Sequence, residues 1–423
     1  MDINRLLNGI ACSCGKAHTC SIKEVNIGNN AIDTLSDICK NFNAPLIVAD
    51  QNTFLAAGKQ TESSLSGKKV KKVIFSGESI LIPNEKAVKT VEENLDGVDV
   101  IVGVGSGVIQ DLCKYVAHFN NLPYLVVATA PSMDGYASNG AAMIMNGMKI
   151  TYNATLPIAL VADTEVLKNA PLEMIKAGYG DIIGKYSALN DWKLSNLING
   201  EYFCNKIYEL TYEQIQNTLS LSNLLLKRDE TAIKTLMKAL IVVGILMSFV
   251  GSSRPASGSE HHLSHFFEIT GIIDGTEYLS HGLDVAFSTA VTAEIREKIA
   301  NMKDFGAIRK ISNQEREALL NKIYKDIAPS CIALQEKAGF YNLDRSQIYK
   351  EKKNEIISIL KEMPTQKEII NMLSAVELDI KDFYDFYGEE KINNAKLFAK
   401  DLKDRFSVLW LYYDFLGALN EQA

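Results

Sequence analysis

Short apolar runs alternate with polar, helix-like segments through the first 165 residues of the chain. Four runs are rich in Val and Ile and are bounded by Gly, Pro, Asn or Asp; they are residues 45–50, 71–76, 98–105 and 123–130. Such runs are typical of buried strands in a parallel sheet. Segments 31–42 and 84–95 repeat apolar residues at helical spacing. The alternation predicts an α/β domain with a mostly parallel, Rossmann-like sheet, closed by a strand pair in residues 148–163.

The pattern changes at Thr164, after which amphipathic or apolar helical runs continue to the end of the chain. We therefore predict an α/β dinucleotide-binding domain in residues 1–165 and an all-helical metal-binding and substrate domain in residues 166–423. We expect the active site in the cleft between the two domains. The longest apolar run, residues 239–250, is shorter than the roughly 20 residues of a membrane span. It predicts a buried core helix and no membrane span.

Composition and charge narrow the class of protein. The chain has 423 residues, of which 47% are hydrophobic, and a formal net charge of −7. This acidic balance argues against a nucleic-acid-binding protein, which usually carries a basic face. The first residues show no basic stretch followed by an apolar core, so we expect no secretory signal. The seven cysteines are then expected to be reduced thiols in a cytoplasmic protein.

A glycine-rich turn follows the third apolar run. Gly103, Gly105 and Gly107 come at the end of a predicted strand and open a predicted helix, where free N–H groups can bind a phosphate. The spacing is GxGxG rather than the Rossmann GxGxxG, so a plain strand–turn–helix remains an alternative. Asp50 ends an earlier strand and could accept hydrogen bonds from a ribose. A run of small polar residues at 128–138 follows the next strand, and ligands bind at these carboxyl ends.

Four of the six histidines lie between positions 261 and 281. His261 and His265 share a helix face at i, i+4, whereas His262 is rotated about 100° away. His281 follows in SHGLD, and Asp181 lies in the Gly-flanked segment GYGDIIGK. A carboxylate with two histidines leaves open positions on a cation, which is typical of a catalytic metal site. Histidines that share a helix by chance are the alternative.

A second cluster, CSCGKAHTC, offers Cys12, Cys14, His18 and Cys20 as a zinc clip. Structural zinc sites usually have two to four residues between paired cysteines, and C-x-C is tighter than that. No second cluster completes the set. We therefore interpret this segment as an N-terminal loop of reduced thiols.

Five motifs occur in one order over residues 50–284: GVGSGVIQD, TAPSMDGYAS, GYGDIIGK, SSRPASGSEHHLSH and SHG. Together they resemble the bacterial branch of the sn-glycerol-1-phosphate dehydrogenases, within the group of glycerol dehydrogenases, iron-containing alcohol dehydrogenases and 3-dehydroquinate synthases. The most specific part is SRPASGSEH-x-x-SH, which separates this branch from plain glycerol dehydrogenases. The C-terminal third adds a compatible helical character.

The resemblance implies roles for individual residues. Asp181, His261 and His281 would be the metal ligands, and Asp134, Asp181 and His265 the substrate-binding and catalytic groups. The residues of the dinucleotide site would be Asp50, Gly105, Ser106, Gly107, Val108, Ile109, Thr129, Ala130, Pro131, Ser132 and Ser138. The implied cofactors are NAD(H) or NADP(H) and one divalent metal, zinc or nickel. A homo-oligomer, in the simplest case a homodimer, is implied as well.

The reaction that the resemblance implies is the interconversion of sn-glycerol 1-phosphate and dihydroxyacetone phosphate. Arg254, Lys185 and the backbone N–H groups of residues 257–259 are the candidate donors to the substrate phosphate. Three alternatives stay open: a dehydrogenase of glycerol or another polyol, a lyase of the dehydroquinate synthase type, and a metal- or nucleotide-binding regulatory protein that has lost activity.

Overall fold

The computed structural model describes residues 2–305, 308 and 311–416. Within them, eight strands form two sheets: β1 (Glu24–Gly28), β2 (Pro45–Asp50), β3 (Lys71–Phe75), β4 (Val100–Gly105), β5 (Tyr124–Ala128), β6 (Gly140–Met145), β7 (Met148–Asn153) and β8 (Ala159–Asp163). Six strands form a parallel sheet in the order β1-β8-β5-β4-β2-β3, and β6 and β7 form an antiparallel pair. The predicted α/β fold with a parallel sheet is confirmed.

Burial explains which strands the sequence pattern revealed. The central strands β2, β4, β5 and β8 are buried along nearly their whole length, so they are continuous apolar runs. The edge strand β1 carries Glu24 and Asn26 and was not predicted. The strand pair expected in residues 148–163 needs correction, because its two strands do not pair with each other. β7 pairs with β6, whereas β8 lies between β1 and β5 in the parallel sheet.

Helices make up most of the remaining described chain. They are α1 (Ile3–Leu7), α2 (Leu35–Ile38), α3 (Gln51–Thr53), α4 (Lys59–Ser64), α5 (Glu85–Glu92), α6 (Gly107–Phe119), α7 (Thr164–Lys168), α8 (Leu172–Asn199), α9 (Asn205–Leu219), α10 (Ser222–Leu226), α11 (Glu230–Val250), α12 (Ser259–Asp274), α13 (His281–Ala300), α14 (Asn313–Tyr324), α15 (Ala328–Ala338), α16 (Ser346–Glu351), α17 (Lys353–Leu360), α18 (Gln366–Ser374), α19 (Ile380–Phe398) and α20 (Val408–Leu416).

Two compact units divide the chain. The first is Met1–Ile182 with Glu209–Ser253 and contains the parallel sheet; the second is Ile183–Tyr208 with Arg254–Ala423 and is helical. Strands give way to helices after Asp163, at the place where the sequence pattern changes. The compact units divide elsewhere, because α11 packs against β1 and α7 within the first unit. The domain boundary at residues 165 and 166 stays a prediction.

The apolar run at 239–250 lies in α11, the one helix among the described residues that is long and apolar enough to cross a membrane. Its most apolar 18-residue window has a mean hydropathy of 2.0, and 78% of that window is buried inside the protein. The Asp229 carboxylate caps its start by accepting from the N–H of Ala232 at 2.9 Å. Gly251, with φ of 74°, ends it in the left-handed conformation that glycine adopts most easily. α11 is thus a core helix with defined ends.

Candidate metal and dinucleotide site

Three histidine rings converge at the start of α12 and α13. His261 and His265 lie one turn apart on α12, and His281 is the first residue of α13. The ring of His261 lies 6.3 Å from that of His265 and 5.0 Å from that of His281, measured between centroids. The rings of His265 and His281 lie 5.8 Å apart. His261 and His265 are each 6% exposed, so the group is largely shielded from bulk water.

Neighbouring side chains orient two of these rings. Nδ1 of His261 lies 2.7 Å from Oε1 of Glu260, and an ionised Glu260 accepts from Nδ1 when that nitrogen carries the proton. Nδ1 of His281 lies 3.2 Å from the hydroxyl of Ser264. Both rings can therefore present Nε2 as a ligand atom. A histidine that binds a metal commonly donates its other N–H to a carboxylate or hydroxyl in this way.

Asp181 completes a group of metal-binding type. It lies on α8 and is fully buried. One carboxylate oxygen of Asp181 and one ring nitrogen each of His261 and His281 lie within 4.8 Å of one another. The donor set is one anionic oxygen and two neutral nitrogens, which suits a divalent transition metal and leaves positions open for a substrate. The residues therefore fit the group that the sequence motifs imply.

The loop that carries Asp134 supports Asp181 from its backbone. The N–H of Asp134 donates to Oδ2 of Asp181 at 2.9 Å. Gly178, one turn before Asp181, faces the same loop so closely that a Cβ there would lie 1.8 Å from the carbonyl oxygen of Pro131. A Cβ at Gly244 of α11 would lie 2.6 Å from the carbonyl oxygen of Asp134. Two helix glycines thus let this loop pack against helix backbones.

His262 has a different environment from its neighbours. It is fully buried, and neither ring nitrogen has a hydrogen-bond partner among the described residues. Burial, and then the positive charge of Arg405, hold the pKa of His262 well below its usual range. The ring is therefore neutral at physiological pH, and it is not part of the metal-binding group.

The residues predicted to bind the dinucleotide lie at and beyond the carboxyl ends of three adjacent strands of the parallel sheet. Asp50 ends β2, Gly105 ends β4 and Ala128 ends β5, and these three strands are neighbours in the sheet. The amide of Gln110 joins the ends of β4 and β5, since its Nε2 donates to the carbonyls of Gly105 at 3.1 Å and Val127 at 3.4 Å. Sequence reasoning missed Gln110, because a buried glutamine in an amphipathic helix has no distinctive local pattern.

Two further contacts shape the dinucleotide region. The buried ammonium of Lys114 donates to the carbonyls of Gly135 at 2.9 Å and Gly140 at 2.7 Å, which holds both ends of the turn that includes Ser138. Asp50 has a structural contact as well, because Oδ1 accepts from the N–H of Thr53 at 2.8 Å and caps α3. One carboxylate oxygen of Asp50 therefore serves a helix end.

Arg254, expected as a phosphate donor, has an internal partner instead. Its Nε donates to Oε1 of Glu201 at 2.7 Å, and a second bond joins its Nη2 to Oε2 of the same carboxylate. Nη2 also donates to the carbonyl of Phe406 at 2.8 Å. The side chain of Arg254 is only 3% exposed. This bidentate pair gives Arg254 a structural role, and its expected role as the anchor of a substrate phosphate stays a prediction.

The other expected phosphate donors are engaged in the same way. The buried ammonium of Lys185 donates to the carbonyl of Ala256 at 3.1 Å. The N–H of Ser259 donates to Oδ2 of Asp191 at 2.6 Å, and the N–H of Gly258 donates to Glu260 at 2.8 Å. The motif therefore supplies internal hydrogen bonds that fix the start of α12.

Comparison with known proteins identifies the relatives of the chain. The family model "iron-containing alcohol dehydrogenase" matches residues 26–171. Glycerol-1-phosphate dehydrogenase [NAD(P)+] of Halalkalibacterium halodurans is 34% identical over 73% of this chain and 81% of its own length. The enzyme of the same name from Bacillus subtilis is 34% identical over 70% of this chain and 77% of its own length. The crystal structure of an NADH-dependent butanol dehydrogenase from Thermotoga maritima shares the fold, with a TM-score of 0.58, 17% identity, and coverage of 93% and 90% of the two chains. The chain belongs to the glycerol-1-phosphate dehydrogenase family.

Proposed function

We propose that the protein is a divalent-metal-dependent oxidoreductase that interconverts sn-glycerol 1-phosphate and dihydroxyacetone phosphate with NAD(H) or NADP(H). One observation carries the proposal: the ligand atoms of Asp181, His261 and His281 lie within 4.8 Å of one another. Membership of the glycerol-1-phosphate dehydrogenase family supplies the substrate class. A regulatory protein without activity would have no need to keep these three side chains together.

The chain's own residues supply orientation and proton transfer. When bound, the metal supplies Lewis acidity at the substrate oxygen, and the nicotinamide exchanges a hydride with the substrate carbon. His265 lies one turn from His261 and would give a proton to the substrate oxygen during reduction or take it during oxidation. Glu260 fixes the ring of His261, and the backbone of Asp134 fixes Asp181. The Asp134 carboxylate would orient the substrate by accepting from one of its hydroxyls.

Because Arg254 is paired with Glu201 within the fold, we propose Arg405 as a further candidate donor to the substrate phosphate. Its Nη1 donates to the carbonyl of Ser257 at 3.0 Å, four residues before His261. Burial and the neighbouring charge of Arg254 lower the pKa of Arg405 to about 10, so the group still carries its charge at neutral pH. A dianionic phosphate would relieve the repulsion between these two guanidinium groups.

Three finer features belong to the same proposal. Zinc or nickel suits the nitrogen-rich donor set better than magnesium, which prefers oxygen ligands. We propose a homodimer, tested by light scattering after gel filtration. We also propose a cytoplasmic location, which cell fractionation tests.

The test combines turnover with metal content. Wild-type protein should oxidise NADH in the presence of dihydroxyacetone phosphate, lose this activity with a chelator and regain it with zinc or nickel. Asp181→Asn, His261→Ala and His281→Ala should each lose this metal and turnover, whereas His118→Ala, on the exposed end of α6, should lose neither. If His281→Ala keeps its metal and near wild-type activity, the ligand assignment is wrong. A preference for dihydroxyacetone over its phosphate would favour the polyol dehydrogenase instead.

A further inference from the structure

A second group of metal-binding type lies outside the proposed active site. The sulfurs of Cys12, Cys14 and Cys204 and one ring nitrogen of His18 lie within 4.8 Å of one another. Cys20, which the local spacing suggested as the fourth member, is not part of the group. The fourth member is Cys204, and all eight strands lie between His18 and Cys204 in the sequence. The group therefore contains three thiols and one imidazole.

The local fold presents His18 as a ligand. Its Nδ1 lies 3.3 Å from the carbonyl oxygen of Phe249, which can only accept, so Nδ1 carries the proton. Nε2 then has a lone pair, and it lies 3.1 Å from the sulfur of Cys14. A backbone bond from Ile10 N–H to the carbonyl of His18, at 3.1 Å, closes the loop that carries both cysteines. The ring is 1% exposed.

The fourth member, Cys204, is equally well fixed. It directly precedes α9 and is 1% exposed. The indole N–H of Trp192 donates to the carbonyl of Tyr202 at 2.6 Å, and the ring of Phe203 lies 4.8 Å from that of Trp192. These contacts hold the three residues up to Cys204 in place. The thiol is therefore presented by a segment that packs on the buried indole of Trp192.

We propose that Cys12, Cys14, His18 and Cys204 bind a structural zinc ion. Three thiolates and one imidazole are one of the usual sets for structural zinc, and they fill all four positions of a tetrahedron. With zinc–sulfur bonds of about 2.3 Å, tetrahedral ligand atoms lie roughly 3.8 Å apart, so the observed grouping needs shifts of about 1 Å or less. The hydrogen bond from Nδ1 of His18 to a backbone carbonyl is the usual support of a zinc-bound histidine.

The ion would fasten the N-terminal segment to the protein core. His18 is tied to the carbonyl of Phe249, at the end of α11, two residues before the segment that leads to the histidines of α12. None of the four residues belongs to the Asp181 group, and the four ligands leave no open position for a substrate. The site is therefore structural, and its loss should lower stability and leave the other metal in place.

Cobalt distinguishes the two sites in the intact protein. Purified protein stripped of metal under reducing conditions and reloaded with Co²⁺ should show the sulfur-to-cobalt charge-transfer band and the intense visible bands of a tetrahedral thiolate complex. The Asp181 group has no sulfur and cannot give that charge-transfer band. Wild-type protein purified with zinc in the medium should contain one tightly held zinc in addition to the active-site metal.

Substitutions of individual residues show which side chains give rise to the charge-transfer band. Cys12→Ser combined with Cys14→Ser should abolish the charge-transfer band, remove one metal equivalent and lower the melting temperature. Cys20→Ser, a nearby thiol outside the group, should change none of these. His18→Ala should weaken the cobalt complex, whereas His18→Cys should restore a four-thiolate spectrum. If wild-type protein shows no charge-transfer band and no second metal, or if mass spectrometry finds a Cys12–Cys14 disulfide in freshly prepared protein, the proposal is wrong.

Discussion

A single methyl group at Gly178 tests how the helix α8 and the Pro131–Asp134 loop position the active site. In Gly178→Ala, the new Cβ would lie 1.8 Å from the carbonyl oxygen of Pro131 and 2.8 Å from its carbonyl carbon. Both atoms are backbone, so no side-chain rotation relieves the contact. The helix and the loop must separate by more than about 1 Å to reach an ordinary van der Waals distance.

Opposing contributions determine how much Gly178→Ala should change the free energy of unfolding. Replacing glycine by alanine in a helix normally stabilises it by about 1 kcal/mol. Overpacking costs about 1–3 kcal/mol. The bond from the N–H of Asp134 to Asp181, now 2.9 Å, would stretch beyond hydrogen-bonding distance, and bonds to charged groups contribute about 1.5–3 kcal/mol. The clash should prevail, with a net loss of about 2–4 kcal/mol. A displacement of about 1 Å near reacting groups should also lower kcat/KM by roughly a hundredfold.

The assay compares two glycines of the same helix. Urea unfolding and NADH oxidation with dihydroxyacetone phosphate are measured for Gly178→Ala and for Gly184→Ala. A Cβ at Gly184 would meet a side-chain methyl of Val285 at 2.6 Å, and a side chain can shift with less disruption than the backbone contact at Gly178 requires. Gly184→Ala should therefore lose less stability and less activity. If Gly178→Ala is more stable than wild type and turns over within threefold of it, the packing argument fails.

Three further predictions follow from contacts in and around the site. Glu260→Gln should weaken metal binding by about 10- to 100-fold in competition with a chelator, since Glu260 orients His261 at 2.7 Å; unchanged affinity would show that this bond does not matter. Asp50→Asn keeps the cap of α3 and removes the negative charge. Because repulsion of a 2′-phosphate by that charge costs of order 1 kcal/mol, the ratio of kcat/KM for NADPH to that for NADH should rise by about fivefold or more. An unchanged ratio would place Asp50 outside the cofactor site. Arg254→Ala should lower the free energy of unfolding by about 1–2 kcal/mol, since it breaks a partly buried pair with Glu201, and should leave the KM for dihydroxyacetone phosphate within about twofold; a large rise in KM with normal stability would instead identify Arg254 as the phosphate donor.

The sequence predicted the central strands and the edge strand β3, but it did not reveal the other edge strand, β1. β2, β4, β5 and β8 are buried on both faces, so each is a continuous apolar run that stands out from its surroundings. β1 is an edge strand with polar residues, and its pattern resembles that of a loop. The partners of β7 and β8 could not be predicted, because periodicity identifies a strand but carries no information about which strand it pairs with.

The same limit applies to the candidate sites. Asp181, His261 and His281 could be named together because they lie in distinctive motifs in a fixed order. The ion pair of Arg254 could not be inferred, because a motif reveals a positive charge and not its partner, and Glu201 lies 53 residues away. Cys204 has no local pattern at all. Its relation to Cys12 and Cys14 exists only in the folded chain, since the local spacing pointed to Cys20 instead.

A backbone group of the loop that carries Asp134 supports the Asp181 carboxylate, so substitution of a nearby side chain would not remove this hydrogen bond. The donor to Oδ2 is the N–H of Asp134, and the loop that presents it packs on Gly178 and Gly244 through carbonyl oxygens. Because the contact uses the main chain, the side chain of Asp134 is not needed to hold Asp181, which is compatible with the substrate contact that we propose for it. The conformation of this loop and the position of Asp181, a proposed metal ligand, are then coupled through a single hydrogen bond. A bound metal that fixes Asp181 would also favour the loop conformation that presents Asp134, and a bound substrate that orders the loop would favour metal binding by the same free energy.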